Sequence, residues 1–147
     1  MLTIPTVKYN ENLANDKEHH WAWDAFFYHI YPLGFCGAPA RNDFKSHPIP
    51  RLDQIHEWIP HLKSMGINAL YLEPLFESSS HGYDTVDYFK VDRRLGDNLT
   101  LKALVAILKQ NGIRVILDAV FNHVGCDFHA FRDVQYHGKE SDYCNMK

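Results

Sequence analysis

Residues Leu101–Val120 read LKALVAILKQNGIRVILDAV, and this stretch decides the fold. Leu101, Leu104, Val105 and Leu108 follow the i, i+3, i+4, i+7 rule of an amphipathic helix. Asp97 or Asn98 can cap its start, because a short polar side chain accepts from the first unpaired backbone N–H groups. Asn111-Gly112 supplies a left-handed exit. Directly after it, Ile113–Val120 is a continuous apolar run broken only by Arg114 and Asp118. Such a run suits a strand of a parallel sheet covered on both faces.

The same alternation continues upstream. Leu52, Ile55, Ile59 and Leu62 recur at helical spacing, and Gly66 makes a stop. Pro60 falls inside this pattern and predicts a kink, or a helix that restarts there. Ile67–Leu72 is a short apolar run ended by Glu73-Pro74 and reads as a strand. Phe26–Tyr31 is aromatic and β-branched and is closed by Pro32, which reads as another buried strand. Strand, helix, strand, helix, strand makes two βαβ units in a row, so the class is α/β. The remaining segments read as irregular: a polar extension at 1–21, a proline-marked loop at Pro39–Pro50, a polar stretch at Phe76–Gly96 and a mixed excursion from Val124 to Lys147.

A chain of 147 residues makes one domain of ordinary size, and 46% hydrophobic with 22% charged residues predicts a packed core. Fifteen basic against eighteen acidic side chains, a net charge of -3, argue against nucleic acid as a partner. No apolar run reaches the roughly 18 residues of a membrane span. Met1–Asn10 has no basic cluster leading into an apolar stretch, so no secretory signal is read. Cys36, Cys126 and Cys144 form neither a paired framework nor a metal-ligand spacing, which suits reduced thiols in the cytoplasm. The ten histidines are mostly isolated, and adjacent His19 and His20 would point apart, so no metal site is expected.

In parallel α/β folds ligands gather beyond the carboxyl ends of the strands. Tyr31-Pro32, Glu73 and Asp118–His123 mark three such ends, and the loop after the second strand adds His81, Tyr83, Asp84, Asp87 and Tyr88 to the same surface. Asp118, inside an apolar strand, is desolvated unless a neighbour donates to it, and could serve as a structural acceptor or as an acid or base. Asn122 is placed to brace a loop, and His123 to donate to a bound hydroxyl. Tyr83 can offer its ring face to a sugar or pack the loop down. Glu73 and Asp118 are also the residue types of a glycoside-cleaving carboxylate pair, which needs oxygens about 5 Å or about 6.5–9.5 Å apart. Nothing in the sequence fixes the direction of Glu73.

Asp118-Ala119-Val120-Phe121-Asn122-His123 resembles the D-x-x-x-N-H motif after the third barrel strand of the α-amylase family of glycoside hydrolases. His81–Tyr88 with Val91–Asp97 resembles that family's segment after the second strand, and Phe27–Pro32 its first strand. The H-x-Y-D-T wording and Phe131-Arg132-Asp133-Val134 are most similar to the neopullulanase and cyclomaltodextrinase branch. The resemblance covers residues 23 to 143 and implies a partial (β/α)8 TIM barrel: about the first three strands at 22–123, then the start of the inserted B domain at 124–147.

The resemblance also implies roles. Tyr83 would stack on the glucosyl ring beside the scissile bond, and His123 would hydrogen-bond a hydroxyl of that sugar. Asp118 would be a structural hydrogen-bonding residue near the barrel rim, and Asn122 would tie down the B-domain loop. In calcium-dependent relatives the residue matching Asn122 is also a metal ligand. That role is not carried over, and no cofactor is expected. The family's nucleophilic Asp follows the fourth strand and its acid Glu the fifth. Both would lie beyond this chain, which is then an N-terminal fragment without catalytic carboxylates.

The resemblance therefore implies part of an enzyme acting on α-glucans or maltooligosaccharides, inactive alone. Three strands would also leave unclosed barrel edges open to self-association. A stand-alone glucan-binding half-barrel is the alternative. Glu73 departs from the family pattern, in which a small residue is expected, and Ser80 stands where oligoglucosidase relatives place an Asp.

Overall fold

The structure, a computed structural model, describes residues 20–144, so most of the extension read at 1–21 lies outside the described residues. Three parallel strands form the central sheet: β1 (Phe27–Ile30), β2 (Ala69–Leu72) and β5 (Arg114–Leu117), with β2 in the middle. Phe27, Ala69 and Arg114 lie in register, and so do His29, Tyr71 and Ile116. Side chains alternate along a strand, so this register sorts the sheet into two faces. Tyr28, Ile30, Leu70, Leu72, Val115 and Leu117 belong to one, and all six join the hydrophobic core.

Helices cover that face. After β1, Pro32 opens the short α1 (Pro32–Phe35), where its missing N–H removes no helical bond. A 3-10 segment at Arg51–Trp58 leads into α2 (Ile59–Ser64), so the helix restarts beside Pro60, which occupies the first turn. Leu52, Ile55, Ile59 and Leu62 are buried, as their spacing predicts. The long helix α3 (Asn98–Gln110) starts at Asp97, whose side chain accepts from the Thr100 N–H at 2.8 Å within a capping box. It sends Leu104 and Leu108 into the core and packs on β5 and the 3-10 segment.

Four expectations change. Phe26–Tyr31 is not a wholly buried strand: Phe26, 68% exposed, lies just before β1, and Phe27, 49% exposed, is on the face the helices leave open, where Trp21 packs against it. The run Ile113–Val120 pairs only at 114–117, so Asp118 lies just past the strand rather than within it. Phe76–Gly96 contains an antiparallel pair, β3 (Phe76–Ser78) and β4 (Thr85–Val91), hidden from sequence reading by bulges and polar residues. The excursion after Val124 contains α4 (His129–His137), with Ala130 buried and His137 Nδ1 3.1 Å from Asp133 Oδ1 one turn back.

The hairpin is fastened by a buried guanidinium. Arg94 is 5% exposed and Asp92 0%. Arg94 donates to Asp92 through Nε (2.9 Å) and Nη2 (2.7 Å), to the Ser80 carbonyl (2.7 Å) and to the Pro39 carbonyl (2.9 Å). Asp92 also accepts from the Ser78 N–H and hydroxyl, so both charges are paired and hydrogen-bonded, the condition under which burial is tolerated. The result joins the loop after β1 to the loop that carries His81 and Tyr83.

Candidate functional site

The uncovered face of the sheet becomes polar toward its carboxyl end. Along β2 and beyond, Ala69 gives way to Tyr71 and then Glu73. Along β5, Arg114 and Ile116 lead to Asp118, and β1 contributes His29. These residues meet in pairs. The Tyr71 hydroxyl donates to Asp118 Oδ2 at 2.6 Å. His29 Nε2 lies 2.8 Å from Glu73 Oε1, and the His29 and Tyr71 rings are 5.0 Å apart. Asp118 is thus half-buried with a donor in place, and Glu73, undirected in the sequence, is fixed by His29. Each carboxylate that could have made a cleaving pair is already engaged by a neighbour.

The loop between β3 and β4 places Tyr83 beside this cluster. Gly82 has φ +93°, a region an L side chain rarely adopts, and a Cβ there would meet the Pro74 carbonyl oxygen at 2.9 Å. The Tyr83 N–H donates to His81 Nδ1 at 3.3 Å, and the Tyr31 hydroxyl donates to the His81 carbonyl at 3.2 Å. Tyr83 is half-buried with its ring centroid 6.3 Å from that of His81. The Ser80 hydroxyl donates to Asp84 at 2.7 Å. Burial opposes the charge on Asp84, but the hydrogen bonds from Ser80 prevail and hold its carboxyl below the usual range.

Three phenols register the carboxylates. Tyr71 is pushed up to about 12, first by donating to Asp118 and then by burial and the Asp118 charge. Tyr83 is raised by burial and then by the charges of Glu73 and Asp118. Tyr31 is raised by burial, with Arg94 opposing and Glu73 reinforcing. The mouth of the sheet therefore holds neutral phenols around acidic groups, an arrangement of ring faces and acceptors suited to a neutral polyhydroxylated ligand rather than to an anion.

The segment after β5 forms the opposite rim. Asn122 and His123 are both exposed, with Asn122 Nδ2 3.3 Å from His123 Nδ1. The bonds that tie this segment down come from elsewhere. The Tyr88 hydroxyl donates to the Val120 carbonyl and, at 3.2 Å, to the His123 carbonyl, and the Gly125 N–H donates to the Thr85 carbonyl at 2.8 Å. A Cβ at Gly125 would lie 2.5 Å from the Asp84 carbonyl oxygen, so only glycine lets the two loops press together. Asp87 is not brought to the cluster: it accepts from the Phe89 N–H at 2.9 Å and pairs with Lys90 at 3.0 Å within its own strand.

Sequence reading did not single out Tyr71, His29 or Arg94. The signal for the first two was period-two alternation: positions 69, 71 and 73, and 27, 29 and 31, share one face. For Arg94 it was a charged run, Asp92-Arg93-Arg94, between apolar Val91 and Leu95. Among the described residues no group of three or more His, Cys, Asp or Glu is arranged to hold a metal ion, and no helix is long and apolar enough to cross a membrane.

Comparison with known proteins gives a consistent result. Residues 29–146 match the profile of the alpha-amylase catalytic domain. The chain is 42% identical over 137 residues to a cyclomaltodextrinase of Bacillus sp, covering 84% of this chain and 25% of that enzyme. It is 39% identical over 138 residues to neopullulanase 2 of Thermoactinomyces vulgaris, covering 84% and 24%. Among solved structures, a cyclic alpha-maltosyl-(1→6)-maltose hydrolase from Arthrobacter globiformis, in complex with cyclic alpha-maltosyl-(1→6)-maltose, superposes with a TM-score of 0.73 at 38% identity over 86% of this chain and 31% of that one. The chain thus spans about a quarter of the length of the curated relatives it matches.

Proposed function

The chain belongs to the alpha-amylase family, and from that premise we propose that its described residues build one wall of an α-glucan site. The fold is the expected partial (β/α)8 barrel, with β1, β2 and β5 as three parallel barrel strands and β3–β4 as a hairpin in the connection before α3. We assign 22–123 to this barrel portion, 124–147 to the opening of the inserted B domain and 1–21 to an extension.

In this reading Tyr83 stacks its ring on a glucosyl unit and His123 hydrogen-bonds one of its hydroxyls. Asp118 braces Tyr71 beneath them, and Asn122 orients the His123 ring. The observation that carries the proposal is the placing of Tyr83: half-buried, locked by Gly82 and His81, and held among phenols and carboxylates at the carboxyl end of the sheet. A sugar presents C–H faces to a ring and O–H donors to acceptors, and this site offers both. Retaining cleavage needs a nucleophile and a separate acid. His29 holds Glu73 through Oε1 and Tyr71 holds Asp118 through Oδ2, and we assign sugar binding, and no bond-breaking step, to these two carboxylates. We place the protein in the cytoplasm, by likeness to an intracellular maltogenic amylase of Bacillus subtilis, 34% identical over 140 residues.

Calorimetric titration of the 147-residue chain with maltoheptaose tests the reading. Saturable binding is expected, lost in Tyr83→Ala, with no release of reducing sugar. A folded wild-type chain that shows no saturable binding, or a Tyr83→Ala variant that binds as tightly, overturns it.

A further inference from the structure

Glu73 departs from the family pattern, and its surroundings give it a use. The β1–β2 register sets its backbone, with the Glu73 N–H donating to the Ile30 carbonyl at 2.9 Å. It shares the uncovered face with Tyr71 and His29 because positions 71 and 73 alternate to the same side. His29 Nε2 holds Oε1 at 2.8 Å. Among the described residues no donor is placed on Oε2. The Glu73 side chain is 20% exposed, so the carboxylate is withdrawn from bulk water yet reachable from the mouth. The His29 ring that holds it lies 5.0 Å from that of Tyr71, and its charge raises the phenols of Tyr31, Tyr71 and Tyr83.

A partly desolvated carboxylate with a spare acceptor oxygen is costly unless something donates to it. The three phenols are directed elsewhere: the Tyr71 hydroxyl donates to Asp118, the Tyr31 hydroxyl to the His81 carbonyl, and the Tyr83 hydroxyl interacts with Asp118. Water from the mouth can donate to this oxygen in the free chain, and a ligand hydroxyl can replace it. We propose that Glu73, oriented by His29, is a specificity-determining residue that accepts a hydrogen bond from a hydroxyl of the glucosyl unit stacked on Tyr83. This inference rests on the glucan-binding reading above and deepens it by naming which group reads a hydroxyl. A carboxylate acceptor favours a sugar that presents a hydroxyl there and rejects one that presents a carboxylate, as a uronic acid does.

The test uses the full chain, methyl α-maltoside and its 2-deoxy, 3-deoxy and 6-deoxy derivatives, each titrated against wild type, Glu73→Gln, His29→Ala and Tyr83→Ala. Wild type is expected to bind one deoxy derivative about tenfold more weakly than the parent, the usual scale for a hydrogen bond to a charged group. That penalty is expected to shrink in Glu73→Gln, which keeps the shape and loses the charge, and partly in His29→Ala, which frees the carboxylate to turn. Far-ultraviolet circular dichroism of each variant establishes that it is folded. An unchanged deoxy penalty in folded Glu73→Gln overturns the assignment of Glu73 while Tyr83→Ala still tests the site. A wild-type chain that binds no maltoside overturns both.

Discussion

Tyr28, Ile30, Leu70 and Leu72 come from the same two strands as Phe27, His29 and Tyr71, yet the two sets meet different environments. The first lies under α2 and α3, with Leu70 and Leu72 at 0% exposure, and belongs to the core. The second faces outward, with Phe27 49% exposed and His29 engaged with Glu73. One face holds the fold and the other holds the chemistry. The difference follows from position in the sheet alone, because neighbouring residues of one strand are assigned to opposite faces by the pleat.

The largest expected effect lies in the buried network that joins the hairpin to the loop after β1. Asp92→Ala leaves the Arg94 guanidinium, 5% exposed, without its carboxylate partner. Breaking a buried pair from one side typically costs about 3–5 kcal/mol. Urea unfolding followed by circular dichroism should show a loss of that order. A loss below about 1 kcal/mol would mean that water reaches Arg94 in solution.

Next come paired truncations on the two faces. Leu70→Ala should destabilise by about 2–5 kcal/mol, since it opens a cavity between β2 and the helices. Phe27→Ala, on the neighbouring strand but the opposite face, should cost about 1 kcal/mol, because only about half of the side chain is buried, against Trp21. Equal losses would break the comparison: they would show that the open face is covered in solution, as it would be if two copies of the chain associated through it. Sedimentation of wild type and Phe27→Ala separates these cases, because only a covered face links the substitution to a change in mass.

The main elements of the fold were legible in the sequence, but the division into a covered and an open face was not. Leu101, Leu104 and Leu108 announced α3, and Pro60 announced the restart at Ile59, because helical periodicity and proline sterics act locally. The candidate residues Tyr83, Asp118, Asn122 and His123 could be named from strand ends and motif. Their contacts could not, since the Tyr71–Asp118 bond links residues 47 apart in sequence and depends on the register of β2 with β5. The hairpin was invisible for a related reason: β3 is only three residues long, and the Ser78–Arg94 bonds that secure it are side-chain contacts across a loop. The exposure of Phe26 and Phe27 escaped because hydrophobicity says that a residue prefers burial, not which element covers it.

The smallest effect is the most specific to the open face. Tyr71 is raised from 10.0 to about 12, first because its hydroxyl donates to Asp118. A phenol whose folded value lies above its unfolded one stabilises the fold while protonated. Its contribution is therefore complete below pH 10 and is lost as pH rises from 10 toward 12. Tyr71 is half-buried, so water screens the interaction and the effect should fall below that of the core substitutions. Tyr71→Phe removes the hydroxyl and should flatten this component of the alkaline stability profile. Tyr31 and Tyr83, also raised, remain as internal references. The measurement is the urea midpoint of both chains across that window, with tyrosinate formation followed by ultraviolet absorbance. If the two profiles run parallel, Tyr71 and Asp118 are not coupled in solution, and the polar end of the open face is looser than its hydrogen bonds describe.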